Sequence, residues 1–174
     1  QEIERLGAAG CAICHCPVSN MRLASGICRT LELEQAGAII SLGVDGSASN
    51  DASNMMYEAR QTLYLQRLRY GDRDITPELI LRWATLGGAK ALGRSDIGLL
   101  AVGKQADISL YRLDDLRFSG SHDPLAALLL CGAEQADRVM IGGKWRVTDG
   151  GIVGLDTEAL IARHRQAAKQ LIMA

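Results

Sequence analysis

Near the start of the chain are two runs of small and apolar residues. Neither run shows the alternation of polar and apolar positions that is typical of a half-buried strand. They cover 10–16 and 38–45, and the second run ends in Asp45. Continuous apolar runs of this length are typical of strands buried on both faces, as in parallel sheets. The segment 30–36 between them has helical character, and Gly37 follows where a helix commonly ends. The pattern therefore predicts a strand–helix–strand unit.

Two helices are predicted after this unit. Met55, Ala59 and Leu63 recur at a spacing of four after a polar loop, which indicates a helix that ends near Gly71. A second helix is expected to begin at Thr76 and Pro77, because a hydroxyl cap followed by proline favours a helix N-terminus, and to run to about residue 92.

The pattern changes beyond residue 94 to short alternating segments and glycine turns. The predicted elements are strands at 97–100, 106–111, 139–141 and 144–147, a short helix at 124–131 and a last helix capped by Thr157. Gly142 and Gly143 would join the last two strands in a hairpin of the primed-turn type. We therefore divide the chain into an α/β region, 1–94, and a second region, 95–174.

Composition narrows the choice of function. The chain is 48% hydrophobic and 22% charged with a formal net charge of -1, which is typical of a soluble globular protein. Aromatic residues make up only 4% and no basic stripe is present, so nucleic acid is not an expected partner. No apolar stretch approaches the ~20 residues of a membrane-spanning helix, so a membrane is not expected either.

The chain has five cysteines, an odd number, and four of them lie in the first 28 residues. This arrangement is unlike a secretory disulfide framework and favours a reducing cytoplasm. Cys11, Cys14 and Cys16 with His15 could form a zinc cluster. Because side chains alternate along a strand, Cys14 and Cys16 would face one way and the other two the opposite way. We therefore interpret the cysteines as small core residues.

Asp45 and His15 are the candidate functional residues. From the residues alone, Asp45 fits a catalytic acid at the C-terminal end of a buried strand and an ordinary Asp-Gly turn equally well. His15 ends the other predicted strand, where it could bind a metal, contact substrate or satisfy loop carbonyls.

Two longer motifs surround these residues. The first reads His-Cys-Pro-Val-Ser-Asn-Met-Arg-Leu-Ala-Ser-Gly over 15–26, and the second reads Leu-Gly-Val-Asp-Gly-Ser-Ala-Ser-Asn-Asp over 42–51. Both resemble motifs of the amidohydrolase superfamily, within it the cytosine and guanine deaminase and chlorohydrolase-like group, and most of all the 8-oxoguanine deaminases. Segments 84–89, 97–107 and 139–147 resemble the last barrel helix and the sandwich strands of that group.

The resemblance implies a fold and roles for Asp45 and His15. Residues 1–94 would be the C-terminal portion of a TIM (β/α)8 barrel, its last two βα units, and 95–174 part of a small composite β-sandwich with a C-terminal helix. Asp45 would bind a catalytic divalent metal, usually zinc, and handle the proton of the attacking water. His15 would contact substrate without binding metal. Asn20 is taken as a second substrate contact, with a loop or cap role as the alternative.

The resemblance also implies that most of the site lies elsewhere. The family's other metal ligands and its proton-shuttling glutamate have no counterpart here, and a complete barrel takes ~250 residues. Residues 2–9 suggest the tail of a helix that began earlier. We therefore expect a piece of a longer protein whose missing N-terminal barrel part is its partner, and a homo-oligomer, because open strand edges recruit other chains.

The expected activity is hydrolytic deamination of a purine-like base, with 8-oxoguanine as the first choice of small-molecule substrate. Within the same class, the alternative is a triazine chlorohydrolase or a thiomethyladenosine aminohydrolase. From a different class, the alternative is a catalytically silent interaction module.

Overall fold

A computed structural model describes residues 1–173, so the last residue of the predicted second region lies outside the described residues. Strand β1, Ala12–His15, and strand β2, Ile39–Leu42, pair in parallel, with His15 opposite Leu42. The helix between them covers Thr30–Gln35, and Gly37 follows it in the left-handed conformation, with φ +105°. The predicted strand–helix–strand unit is confirmed, and the C-terminal ends of both strands lie at the same edge.

Numbered in chain order, the helices of the described residues are α1 Glu2–Ala8, α2 Pro17–Arg22, α3 Thr30–Gln35, α4 Met55–Tyr70, α5 Pro77–Arg82, α6 Gly88–Ala91, α7 Pro124–Leu130 and α8 Thr157–Met173. The predicted helix after Thr76 has the expected start, since the Thr76 hydroxyl accepts a hydrogen bond from the Leu79 N–H at 3.2 Å. It is not uniform, because one π-helical turn, Trp83–Gly87, separates α5 from α6.

The second half of the chain forms an antiparallel sheet. Its strands are β3 Ile108–Leu110, β4 Arg138–Ile141, β5 Lys144–Thr148 and β6 Gly151–Ile152, paired in that order. The hairpin of β4 and β5 is confirmed, with Gly142 at φ +56° and Gly143 at φ +74°, as a primed turn requires.

Two local predictions in this half were wrong. Residues 97–100 form bends instead of a strand, because Gly98 adopts φ +82°, which interrupts an extended backbone. Thr157 is the first residue of α8 and does not cap it. The carboxylate of Asp156 accepts from the Ala159 N–H at 2.9 Å and so takes the capping role.

One apolar core joins the helices to the parallel pair. Its fully or nearly fully buried members are Leu33, Ala38, Ile40, Leu42, Ala59, Leu63, Ile75, Ile80, Trp83 and Leu129. Leu129 belongs to α7, so the second half of the chain contributes to the core of the first half. By contrast, every described residue of α8 is exposed. Among residues 1–173, no helix combines the length and the apolar character that crossing a bilayer requires.

The π-helical turn lies directly on β2. Gly87 is buried and helical, at φ -59°, and a Cβ atom at this position would collide with the backbone carbonyl of Ile40. The absence of a side chain at Gly87 therefore allows the helical segment to approach the strand closely.

We predict that Gly87→Ala lowers the free energy of unfolding by about 1–3 kcal/mol, because the added methyl must displace strand backbone. Gly88→Ala is the matched control. Gly88 is also helical, with open space around its would-be Cβ, so alanine there should stabilise by about 0.5–1 kcal/mol. Urea denaturation of the complete gene product measures both. Equal effects of the two substitutions would contradict the close approach.

Candidate functional site

Asp45 lies three residues beyond β2, exposed, in the left-handed conformation with φ +63°. Its Oδ2 accepts from the Ser19 hydroxyl at 2.6 Å and from the Ser49 hydroxyl at 3.2 Å, and its Oδ1 accepts from the Gly46 N–H at 2.8 Å. These hydrogen bonds, with that from Ser19 first, lower the pKa of Asp45. The carboxylate is therefore anionic at neutral pH and its orientation is set by two loops.

The two loops are the connections that follow the two parallel strands: the first contains the short helix α2, and the second runs from β2 to α4. Ser19 lies in α2, just beyond β1, and is buried, while Ser49 lies in the loop after β2. The two hydroxyl oxygens are 2.8 Å apart, so they also contact each other. Because parallel strands end at the same edge, residues 26 and 30 positions apart in sequence meet there.

A second carboxyl group, that of Glu58, lies beneath these loops. Glu58 is on α4 and has no exposed surface. Its Oε1 accepts from the Asn50 side-chain amide at 2.6 Å, and its Oε2 accepts from the Val18 N–H at 3.2 Å. The same Asn50 amide donates to the carbonyl of Val44 at 2.7 Å. Burial raises the pKa of Glu58, and the two hydrogen bonds oppose that rise.

His15 is buried, with 2% of its surface exposed. Its Nε2 lies 3.5 Å from the side-chain nitrogen of Gln66, which also donates to the Cys28 carbonyl at 3.2 Å. Gln66 in turn accepts from the Thr30 hydroxyl at 2.7 Å. Burial lowers the pKa of His15 from 6.5 to about 4, so the ring is neutral at neutral pH. Its Nδ1 has no hydrogen-bond partner among residues 1–173.

Asn20, the other predicted substrate contact, follows Ser19 in α2 and is partly buried. Its backbone N–H donates to the Cys16 carbonyl at 3.0 Å, and its own carbonyl accepts from the Ser25 N–H at 2.9 Å. The backbone is therefore fixed close to Asp45. The contact of His15 and of Asn20 with a substrate stays a prediction.

The alternative of a cysteine–histidine zinc cluster does not fit the geometry. A Cβ atom at Gly43 would meet the sulfurs of both Cys14 and Cys16, so these two side chains share one face as the alternation predicted. Within residues 1–173, no three His, Cys, Asp or Glu side chains converge as a metal site. Burial also raises the pKa of Cys16 to about 12, which keeps it a protonated thiol.

Sequence reasoning missed Ser19, Glu58 and Gln66. The sequence places the last two on one face of α4. Glu58, Thr62 and Gln66 recur at a spacing of four, directly beside the apolar positions Ala59 and Leu63, and all five are fully buried. Polar residues beside an apolar stripe are ordinarily the solvent-exposed side of an amphipathic helix, so only the fold shows that this face is buried.

Comparison with known proteins gives consistent matches. The model of the amidohydrolase family matches residues 1–146. The chain is 74% identical over 172 residues to an 8-oxoguanine deaminase of Pseudomonas aeruginosa, covering 99% of this chain and 38% of that protein. It is 36% identical over 187 residues to an isoxanthopterin deaminase of an unknown prokaryotic organism, covering 98% of this chain and 39% of that protein.

Solved structures agree. A zinc-bound adenosine deaminase from Xanthomonas campestris superposes with a TM-score of 0.92 at 37% identity, over 99% of this chain and 40% of that one. An atrazine chlorohydrolase from Arthrobacter aurescens complexed with zinc superposes with a TM-score of 0.87 at 32% identity, over 93% of this chain and 37% of that one. The chain thus spans about two fifths of the length of the relatives it matches.

The burial of His15 predicts a pH dependence of stability. Above pH 6.5 neither state is protonated at this residue. Between 6.5 and about 4 the unfolded chain binds a proton and the folded one does not, so stability falls as pH falls. The loss should be on the order of 3 kcal/mol.

Urea denaturation at pH 7 and at pH 4.5 measures this loss in the complete gene product. Subtracting the loss measured for His15→Gln leaves the contribution of the histidine, because the carboxyl groups contribute equally to both proteins. If the two proteins lose stability in parallel, the His15 ring is not held neutral by the fold.

Proposed function

The chain belongs to the amidohydrolase family, and we propose that it supplies the C-terminal part of a metal-dependent deaminase of purine-like bases, with 8-oxoguanine as substrate. The observation that carries this proposal is the Asp45 carboxylate, anionic and held by hydroxyls of two loops at the C-terminal edge of two parallel strands. That edge is where α/β barrels place catalytic groups.

The fold supports a partial barrel. We assign β1 and β2 to strands seven and eight of a (β/α)8 barrel, and the antiparallel sheet to part of a β-sandwich, with the division near residues 94 and 95. Within residues 1–173, the outer edges of β1 and β2 have no neighbouring strand. Further polypeptide that completes the barrel is therefore the proposed partner. Homo-oligomer formation and a cytoplasmic location stay predictions.

Asp45 fits one ligand position of a zinc site. A carboxylate oxygen is a ligand that zinc accepts, and its two oxygens offer more acceptor positions than the three hydrogen bonds use. A catalytic zinc takes about three protein ligands, so the completing polypeptide must provide the others. When bound, zinc would supply a water of lowered pKa as the attacking group.

The residues of this chain would then handle the proton and the base. Asp45 accepts a proton from the attacking water as the oxygen bonds to the amino-bearing ring carbon. It gives that proton to the amino nitrogen as the carbon–nitrogen bond breaks and ammonia leaves. The second proton of the water passes from the new oxygen to the neighbouring ring nitrogen, a transfer for which the completing polypeptide would supply the group, and the base becomes the oxo product. His15, as a neutral ring, and Asn20 contact the base.

The alternatives have weaker support. Identity is 74% to the 8-oxoguanine deaminase, 40% to a 5-methylthioadenosine/S-adenosylhomocysteine deaminase of Pelotomaculum thermopropionicum and 32% to the atrazine chlorohydrolase. A thiomethyladenosine is therefore the second choice of substrate and a chlorinated triazine the third. A catalytically silent interaction module would have no need of the three hydrogen bonds that hold the Asp45 carboxylate.

We predict that the 174 residues alone release no ammonia from 8-oxoguanine, because one carboxylate cannot hold a catalytic zinc. The same residues should be active when they replace the matching segment of the Pseudomonas enzyme, since that protein supplies the rest of the barrel. Ammonia release and zinc content of both proteins test this. A folded, zinc-loaded chimera without activity would contradict the proposed function.

We further predict that Asp45→Asn in the active chimera lowers kcat by about 10²–10⁴-fold, because an amide neither accepts the proton nor binds zinc as a carboxylate does. Asp51→Asn is the matched control in the same loop, where the carboxylate pairs with Arg22. It should keep near-normal turnover. Near-normal turnover of Asp45→Asn would leave Asp45 as a turn residue only.

A further inference from the structure

Glu58 is a buried carboxyl group that the proposed reaction does not use. It has no exposed surface, and it takes part in none of the ion pairs found within residues 1–173. Burying a carboxyl group away from water is costly unless its oxygens are hydrogen-bonded. An apolar side chain at this position would avoid that cost but would leave the Val18 N–H and the Asn50 amide without this acceptor. The two contacts that Glu58 makes therefore need an explanation.

Both contacts of Glu58 hold a residue that is adjacent in sequence to Ser19 or to Asp45. The Val18 N–H, which donates to Oε2, precedes Ser19, whose hydroxyl donates to the Asp45 carboxylate. The Asn50 amide, which donates to Oε1, also donates to the carbonyl of Val44, the residue just before Asp45. The Glu58 carboxyl group thus links the loop that carries Asp45 to the loop that carries Ser19, the donor of the shortest hydrogen bond to Asp45.

The chemistry of the two partners requires a carboxyl group at this position. Both the Val18 N–H and the Asn50 amide are donors, so position 58 must present two acceptors at once. Glutamine has the same shape but offers one oxygen and one NH2 group, so one of the two links would place a donor against a donor. Aspartate keeps both acceptors on a side chain shorter by one methylene.

We propose that Glu58 is a positioning residue that sets the orientation of the Asp45 carboxylate for metal binding by joining the two loops through Val18 and Asn50. This inference rests on the proposed role of Asp45 as a zinc ligand. Groups that orient a metal ligand typically contribute about 10–100-fold to metal affinity or activity.

The test uses the complete gene product and measures zinc affinity by competition with a chromogenic chelator, alongside kcat and the midpoint of thermal unfolding. Glu58→Gln should weaken zinc binding and lower kcat by about tenfold. Glu58→Asp should recover part of both losses. If Glu58→Gln cannot be purified folded, Asn50→Ala removes the amide that joins Glu58 to the Val44 carbonyl, together with the acceptor of the Ala52 and Ser53 N–H groups, and should act in the same direction.

Leu63→Ala is the control for a general loss of stability. Leu63 is fully buried on the same helix, in the apolar core, and is not among the hydrogen-bonding groups of the two loops. It should lower the unfolding midpoint at least as far as Glu58→Gln does while leaving zinc affinity unchanged. A second control adds Glu58→Gln to Asp45→Asn, where it should change zinc affinity by less than about twofold, because no ligand remains to be positioned.

The outcomes separate the inference from the proposed function. If Glu58→Gln weakens zinc binding no more than Leu63→Ala does, Glu58 is a scaffold residue and the inference is overturned. If Asp45→Asn itself leaves zinc affinity unchanged, or the gene product binds no zinc, the proposed metal role fails and the inference fails with it. A tenfold loss for Glu58→Gln, absent in the Asp45→Asn background, supports both.

Discussion

Two buried polar side chains of α4, Glu58 and Gln66, take hydrogen-bond partners from the segments around both parallel strands, and the arrangement of the site depends on those contacts. A buried polar group left unpaired costs about 1–3 kcal/mol. Glu58 and Gln66 lie two helical turns apart on one face of α4, and neither is exposed. Glu58 takes its partners from the loops after both strands, and Gln66 takes Cys28, Thr30 and His15. The helix therefore holds the two loops against each other.

This arrangement places three titratable groups in different environments at one sheet edge. Asp45 is exposed and receives three hydrogen bonds, which lower its pKa, while burial raises the pKa of Glu58. His15 is kept neutral by burial. Two carboxyl groups can serve different purposes when their environments push their pKa values apart. Here the exposed Asp45 carboxylate can receive a cation, and the buried Glu58 carboxyl group acts through the two groups that it holds, the Val18 N–H and the Asn50 amide.

The same framework explains how the two halves of the chain are connected. Leu129 of α7 is fully buried in the core formed by α3, β2, α4 and α5, so the antiparallel region is anchored on the helix that carries Glu58. Asn54 strengthens that link, because its side chain caps α4 and also donates to the Glu134 carbonyl at 2.8 Å. A change in how α7 packs would therefore reach the loops of the site through α4.

The sequence by itself determined the features that depend on local physics. Apolar runs, a Thr-Pro start and two adjacent glycines were enough for the strand–helix–strand unit, the start of α5 and the hairpin, whereas the role of Asp45 stays a prediction from two motifs. Local signals failed at two positions. The positive φ of Gly98 breaks the strand expected there, and Asp156 caps α8 in place of its neighbour Thr157. Ser19 and Glu58 could not be assigned, because Ser19 meets Asp45 across 26 residues and Glu58 meets Val18 across 40, and only packing decides which polar groups meet. Tertiary structure made that decision, since a buried acceptor must be satisfied by whichever donors the fold brings within reach.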